Sequence, residues 1–364
     1  MEFTIEKVPW ITTPLIKSNQ LSGIAGCNVF LKLENLQPSG SFKSRGVGNF
    51  LLAALRRQQS QPSSTNGPAA PIHFYCSSGG NAGLGCVHAA VTLGCPATIV
   101  VPLSTKPFMV EKLRTAGASN VIQEGETWAE ADKYLREVLM AEAKQSDEGG
   151  ETAVYVPPFD AQDIWDGNST VVEEILEQLK EAEKHYKIAK DESTPSAPVL
   201  PDVIICSVGG GGLLNGICQG IDKAGLSSQV KVIAMETLGA DSLSQSIKKK
   251  ELITLPGITS IATHLGARRV SAKAFENGLR DMVVSDVAPD AAAVEVCRRI
   301  ADEQRLLVEP ACGVCLVPIY DGSLSRLVPG LRPESNVVVV MCGGSAISLE
   351  ILADFVERYP YTFE

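Results

Sequence analysis

Lys43 lies in PSGSFKSRG, a small-residue loop that runs into the helical pattern FKSRGVGNFLLAALRR. Phe42, Phe50, Leu51, Ala54 and Leu55 recur there on one face at helical period. Ser39 or Ser41 is the expected cap. The first turn of a helix carries partial positive charge and favours acids, yet here it holds Lys43 and Arg45 and no acid. An ammonium at that end is disfavoured, so the Lys43 pKa is expected to fall. The neutral amine can then attack an aldehyde. A second stretch, SSGGNAG (Ser77 to Gly83), follows the apolar run IHFYC. Its free amides and the Ser78 hydroxyl suit a small carboxylate, and Asn81 suits a ring oxygen or a carbonyl. The third, GGGG, joins DVIICSV to the helical LLNGICQGI. Gly209, Gly210, Gly211 and Gly212 there make a close-approach anion site at a helix N-terminus.

A dinucleotide site is the rival for that turn, because Glu236 ends the next strand where a ribose-binding acid would stand. The fingerprint GxGxxG fails in either register, since its third glycine would be Leu214 or Asn215. A P-loop fails as well, because no Lys-Ser or Lys-Thr follows the glycines. A phosphate cradle, a carboxylate cradle and a reactive lysine together point to a phosphorylated aldehyde cofactor acting on an amino acid.

These turns must be held by strands. The 364-residue chain is 45% hydrophobic, enough for a large core and two lobes. Strand and helix patterns alternate, which predicts an α/β fold with parallel sheets. The strands read as IHFYCSS, ATIVVP, SNVIQEG, DVIICSV, KVIAMET and NVVVVMC, with helices near Ala82, from Lys106, over Trp128 to Lys144 and after YVPPFD. Glycine turns follow three of these strands, at the end where open α/β sheets bind ligands. RQQSQPSSTNGPAAP (57–71) and KDESTPSAPVLP (190–201) lack periodicity and read as surface insertions.

A net charge of -10 leaves no electrostatic footprint for nucleic acid or an anionic membrane, and KKK at Lys248 to Lys250 reads as solvated surface. Ten cysteines sit mostly in apolar runs, which fits buried free thiols in a reducing compartment. Cys312 and Cys315 form a lone CxxC without the second pair that a zinc site needs. No apolar run reaches membrane-spanning length, and MEFTIEKVPW reads as neither secretory core nor presequence. A soluble, cytoplasmic protein is expected, with a mitochondrial location as the alternative.

In this order, ENLQPSGSFKSRG, SSGGNAG, SVGGGGLLNG and VVVVMCGGS closely resemble the fold type II pyridoxal-phosphate enzymes of the tryptophan synthase β-like group. Within that group the chain is similar to the eukaryotic L-serine/L-threonine dehydratases. TTPL, YVPPFD, METLGADS, LPGITSIATHLG and LVEPACG extend the likeness almost from end to end. The resemblance implies two doubly wound open parallel sheets with pyridoxal phosphate in the cleft between them. The large domain would take 1–38 and 155–364, and the small one 39–154. By resemblance Lys43 is the Schiff-base lysine, Phe42 packs on the cofactor ring, Asn81 bonds its 3′-oxygen and Gly209 to Gly212 hold its phosphate. Ser78, Gly79, Gly80, Asn81 and Ala82 would bind the substrate carboxylate, and Cys342 would face the pyridine nitrogen. A monovalent cation, potassium, is implied at Glu236, Ala240, Ser242, Leu265 and Ala267, with Gly209 adjoining, and so is a homodimer.

The implied reaction is β-elimination from L-serine to pyruvate and ammonia, and from L-threonine to 2-oxobutanoate. A neutral thiol at Cys342 would leave the pyridine largely unprotonated, favouring loss of a β-substituent over transamination. Serine racemase is the nearest alternative, but it needs a base on the opposite face, where Gly79 stands. Threonine synthases place Ser or Thr where Cys342 stands. A weakly active homologue serving as a metabolite sensor completes the alternatives.

Overall fold

The computed structural model describes residues 7–60, 70–145, 151–186 and 199–363. Of the first insertion, Arg57 to Ser60 are helical rather than loop and 61–69 lie outside the described residues; of the second, 190–198 lie outside them. Within that helix the Arg57 guanidinium pairs with Asp163 at 2.7 Å.

The chain divides into two compact units, Met1–Ile11 with Gln37–Gly167, and Thr12–Leu36 with Asn168–Glu364. Residues 7–11, 37–38 and 155–167 thus group differently from the expected division. Gly167 gives a physical reason: a Cβ there would lie 2.4 Å from the Arg45 carbonyl, so this part of the chain is pressed onto the helix of Lys43.

Among the described residues ten strands form two sheets: β1 (Leu15–Lys17), β2 (Asn28–Lys32), β3 (Ile72–Cys76), β4 (Ala97–Val101), β5 (Asn120–Gln123), β6 (Thr152–Tyr155), β7 (Val203–Ser207), β8 (Lys231–Thr237), β9 (Val283–Ala288) and β10 (Asn336–Val340). One unit carries the order β5-β4-β3-β6, the other β1-β2-β10-β7-β8-β9. The four-stranded sheet is wholly parallel. Every residue of β3, β4 and β7 is buried, as befits parallel strands covered on both faces. The six-stranded sheet is parallel except at its edge, where β1 pairs antiparallel with β2. Only the short helix Asn19–Ala25 joins those two strands, too little chain for a parallel crossover.

The long helix expected over Trp128 to Lys144 is interrupted. A capping box of Thr127 and Glu130 starts Trp128–Tyr134, a π turn occupies Leu135–Leu139, and Met140–Gln145 resumes. All ten cysteines are free; only Cys95 is not fully buried. No helix among the described residues is long and apolar enough to cross a membrane.

Lys32, on β2, is fully buried. Its ammonium donates to Thr13 O at 2.7 Å, Glu174 Oε2 at 2.5 Å and Gln178 Oε1 at 2.8 Å. Removing one partner of a buried pair costs about 3–5 kcal/mol, because the remaining charge loses its compensation. Glu174→Ala is therefore expected to lower the urea midpoint of unfolding sharply, with Glu174→Gln losing less. Equal midpoints for Glu174→Ala and the parent would contradict this account.

Candidate active site

In the four-stranded unit, Lys43 is the first residue of the helix Lys43–Ser60, whose first turn holds no acid. Its Nζ donates to the carbonyl of Pro158 and lies 5.2 Å from the Phe42 ring centroid. The expected hydroxyl caps take other roles. Ser39 Oγ pairs with Ser44 Oγ at 2.7 Å, and the buried Ser41 hydroxyl has no partner among the described residues. Arg45, the second cation of that turn, is fully buried, its guanidinium 3.4 Å from Ile11 O.

The SSGGNAG turn leaves the end of β3, and Asn81 opens the helix Asn81–Thr92 one residue before the expected start. Gly80 precedes it with no side-chain cap, so no side chain from that position competes for the first-turn amides. Ser78 Oγ accepts from Gly80 N at 3.3 Å, and Asn81 and Ala82 are buried. Gly79 is tight, since a Cβ there would come within 3.1 Å of Val101 Cγ1 and of Thr105 Cγ2.

Two glycines that the sequence reading passed over shape this turn. A Cβ on Gly83 would fall 1.8 Å from the Ser78 carbonyl oxygen, and one on Gly85 would come within 3.1 Å of Lys43 Cβ. Thus the turn closes onto its own helix, and that helix lies against the lysine's backbone. Glycines inside a helical pattern are tolerated mainly for such packing reasons, and NAGLGC carried that signal.

In the six-stranded unit the glycine turn follows β7. Gly211, at φ 92°, precedes the helix Gly212–Lys223, which has no side-chain cap and no acid in its first turn. These are the conditions for holding an anion on backbone amides. The turn is pinned from outside: Ser271 N donates to Gly210 O at 3.0 Å, and Asn168 Nδ2 to Gly212 O at 3.0 Å. A Cβ on Gly209 would lie 3.1 Å from His264 O and 3.2 Å from Leu265 Cα.

Cys342 is buried beyond the end of β10. Its Sγ lies 3.4 Å from the hydroxyl of Ser207, the last residue of β7. Burial pushes the neighbouring thiols of Cys206, Cys312 and Cys315 well above the ordinary cysteine range. No carboxylate is hydrogen-bonded to Cys342 among the described residues; its other acceptor is the Ala311 carbonyl at 3.8 Å. Ser207 was missed because a serine ending an apolar strand reads simply as the strand's edge.

Glu236 is fully buried, and its carboxylate accepts from Leu243 N at 2.9 Å and Ser244 N at 2.7 Å. Burial pushes its pKa up to about 8 despite those two donors. The adjoining Ser242 hydroxyl is buried without a partner among the described residues. Ala240 N bonds Thr237 O at 2.9 Å, while Leu265 O accepts from Ala267 N at 2.8 Å. The fold thus brings Glu236 to Ser242, and Leu265 to Gly209 and Ala267. No group of three or more His, Cys, Asp or Glu placed to hold a metal occurs among the described residues.

Residues 9–343 match the family model for pyridoxal-phosphate dependent enzymes. An L-serine dehydratase of Saccharomyces cerevisiae is 39% identical over 350 residues, 96% of this chain and 97% of the yeast protein. A human serine dehydratase-like protein is 41% identical over 341 residues, 93% of this chain and 91% of the human one. A fungal L-serine ammonia-lyase from Rhizomucor miehei superposes with a TM-score of 0.80 at 34% identity, covering 97% of this chain and 100% of that one.

Proposed function

The chain belongs to the pyridoxal-phosphate dependent enzyme family, and from that premise we propose that it is an ammonia-lyase of L-serine, with L-threonine as a second substrate. Water leaves first, and the enamine that remains then takes up water and releases ammonia, giving pyruvate or 2-oxobutanoate. The relatives named L-serine dehydratase and L-serine ammonia-lyase support this assignment. The observation that carries it is the contact of Gly85 with Lys43, which sets the carboxylate turn and a helix-opening lysine side by side.

Pyridoxal phosphate, when bound, would supply an aldehyde reactive toward amines and an electron-withdrawing ring. Lys43 Nζ anchors the cofactor and then takes the α-proton. Its bond to the Pro158 carbonyl orients the amine, and its place at a positive helix end disfavours the ammonium form. Asn81 would bond the cofactor's ring oxygen, and Phe42 would cover its ring. The amides of Gly209 to Gly212 would hold its phosphate. Cys342, with the Ser207 hydroxyl beside it, would face the cofactor's ring nitrogen with a thiol rather than a carboxylate, which would favour loss of the β-hydroxyl. Ser78 to Ala82 bind the substrate carboxylate through backbone amides. A serine at position 79 would crowd Val101 and Thr105, which speaks against racemisation through a second base there.

Potassium is assigned to Glu236, Ser242 and the carbonyls of Gly209, Ala240, Leu265 and Ala267. The buried carboxylate whose pKa is raised and the partnerless Ser242 hydroxyl suit a cation, which would favour the ionised form. At a hundred times its Kd, potassium is expected to add about 2.7 kcal/mol of stability, with Glu236→Ala abolishing the gain. Urea midpoints in potassium against tetramethylammonium buffer measure it, and midpoints equal in both buffers would remove the cation. A cytoplasmic location and a homodimer are carried by the resemblance.

The assay is pyruvate release from L-serine by protein supplied with pyridoxal phosphate, coupled to lactate dehydrogenase. Borohydride should bleach its yellow colour and label the Lys43 peptide. A colourless protein that makes no pyruvate would overturn the assignment.

A further inference from the structure

Asp132 has no part in the machinery described above, yet it is buried and tied to two segments that belong to it. Its Oδ1 accepts from Ser77 Oγ at 2.6 Å and from Tyr155 OH at 2.7 Å. Ser77 is the residue at which the ladder of β3 has just ended and the carboxylate turn begins. Tyr155 ends β6, and three residues later the Pro158 carbonyl accepts from Lys43 Nζ. One carboxylate oxygen therefore ties the ends of both strands together.

The clamp is rigidly mounted. Ala131 and Leu135, on either side of Asp132, are buried in a cluster with Tyr75, Val100 and Met140, against which Tyr155 packs. Arg136 Nη1 stands 3.7 Å from Asp132 Oδ2, and its guanidinium lies over the Tyr155 ring at 5.1 Å. A charged acceptor makes roughly twice as strong a hydrogen bond as a neutral one, which suits a residue that must hold two hydroxyls on one oxygen.

We propose that Asp132 is a positioning residue that holds the substrate-carboxylate turn in register with the lysine's carbonyl anchor. The role rests on the assignment of Ser78 to Ala82 to the substrate carboxylate. Because Asp132 holds the carboxylate turn directly and the Pro158 anchor of Lys43 only through the chain beyond Tyr155, Asp132→Ala in the holoenzyme is expected to raise KM for L-serine about tenfold and to lower kcat by less than that. Asp132→Asn keeps an oxygen acceptor of the same shape and should restore KM to within about threefold of the parent. Ser77→Ala and Tyr155→Phe should each reproduce part of the KM increase.

Amide hydrogen exchange over residues 77–84, read by mass spectrometry, is the second measurement. Exchange there should quicken in Asp132→Ala and return toward the parent rate in Asp132→Asn. The cofactor absorbance should stay unchanged in both. Unchanged KM with unchanged exchange, or a kcat loss at constant KM, overturns the proposal. If the parent protein makes no pyruvate, the lyase assignment falls, and the exchange rates still decide whether Asp132 holds this turn.

Discussion

Lys43→Ala should lower the rate of pyruvate formation from L-serine by about 10⁴-fold, the upper range for loss of a general base, with the covalent hold on the cofactor removed as well. The fold should survive, because the Lys43 side chain is only half-buried at the first residue of a helix. Its principal bond is to a carbonyl that water can satisfy. The coupled assay reads the rate, and circular dichroism checks the fold. A second signature separates lost chemistry from lost binding: borohydride should fix the cofactor on the parent protein and release it from the variant on dialysis. Lys43→Arg restores the charge but not a nucleophilic amine, so it should be equally inactive. A Lys43→Ala protein with parental turnover would end the assignment of this lysine.

Gly211→Ala should be the second most damaging change. The residue sits at φ 92°, and an added Cβ would fall 2.2 Å from the Cβ of Ala274. Left-handed strain costs an alanine about 1–2 kcal/mol, and overpacking against a fixed backbone adds about 1–3 kcal/mol. The turn must therefore shift, and the amides aimed at the cofactor phosphate shift with it. A weakening of pyridoxal-phosphate affinity by at least about thirtyfold is expected, equivalent to about 2 kcal/mol. Absorbance titration of the apoprotein measures it. Gly225→Ala is the control, because Gly225 has φ 70° but open space around its Cβ position. That variant should lose some stability while its cofactor Kd stays parental. Equal losses of affinity in both would show that strain alone, rather than the close approach at Ala274, governs the turn.

Legibility differed along the chain for physical reasons. VIICS and NVVVV announce themselves because a strand buried on both faces must be apolar throughout, and the glycines after them mark backbone turns that other residues cannot make. The lysine of PSGSFKSRG was visible because it contradicts the helix dipole, and such local contradictions mark function. The antiparallel edge at β1 was not legible, since TTPLIKS has no feature that distinguishes pairing direction. Nor was the π turn at Leu135–Leu139, which breaks a pattern that the sequence continues. Gly83 and Gly85 were readable as helix glycines with a packing purpose, but only the structure shows that Ser78 O and Lys43 Cβ are what they admit.

By itself, then, the sequence determined the α/β alternation, the three glycine turns, the absence of a dinucleotide fingerprint and the candidate lysine, because each depends on residues close together in the chain. Tertiary structure alone decided which partners those residues have. Lys32 meets Glu174 across 142 positions, Lys43 meets Pro158 across 115, and Cys342 meets Ser207 across 135. Asp132 finds Ser77 and Tyr155 from a helix whose sequence shows one more acid among several. A side-chain hydrogen bond between distant segments imposes no periodicity on either, so it leaves nothing in the sequence to read until the sheets have brought the two ends together.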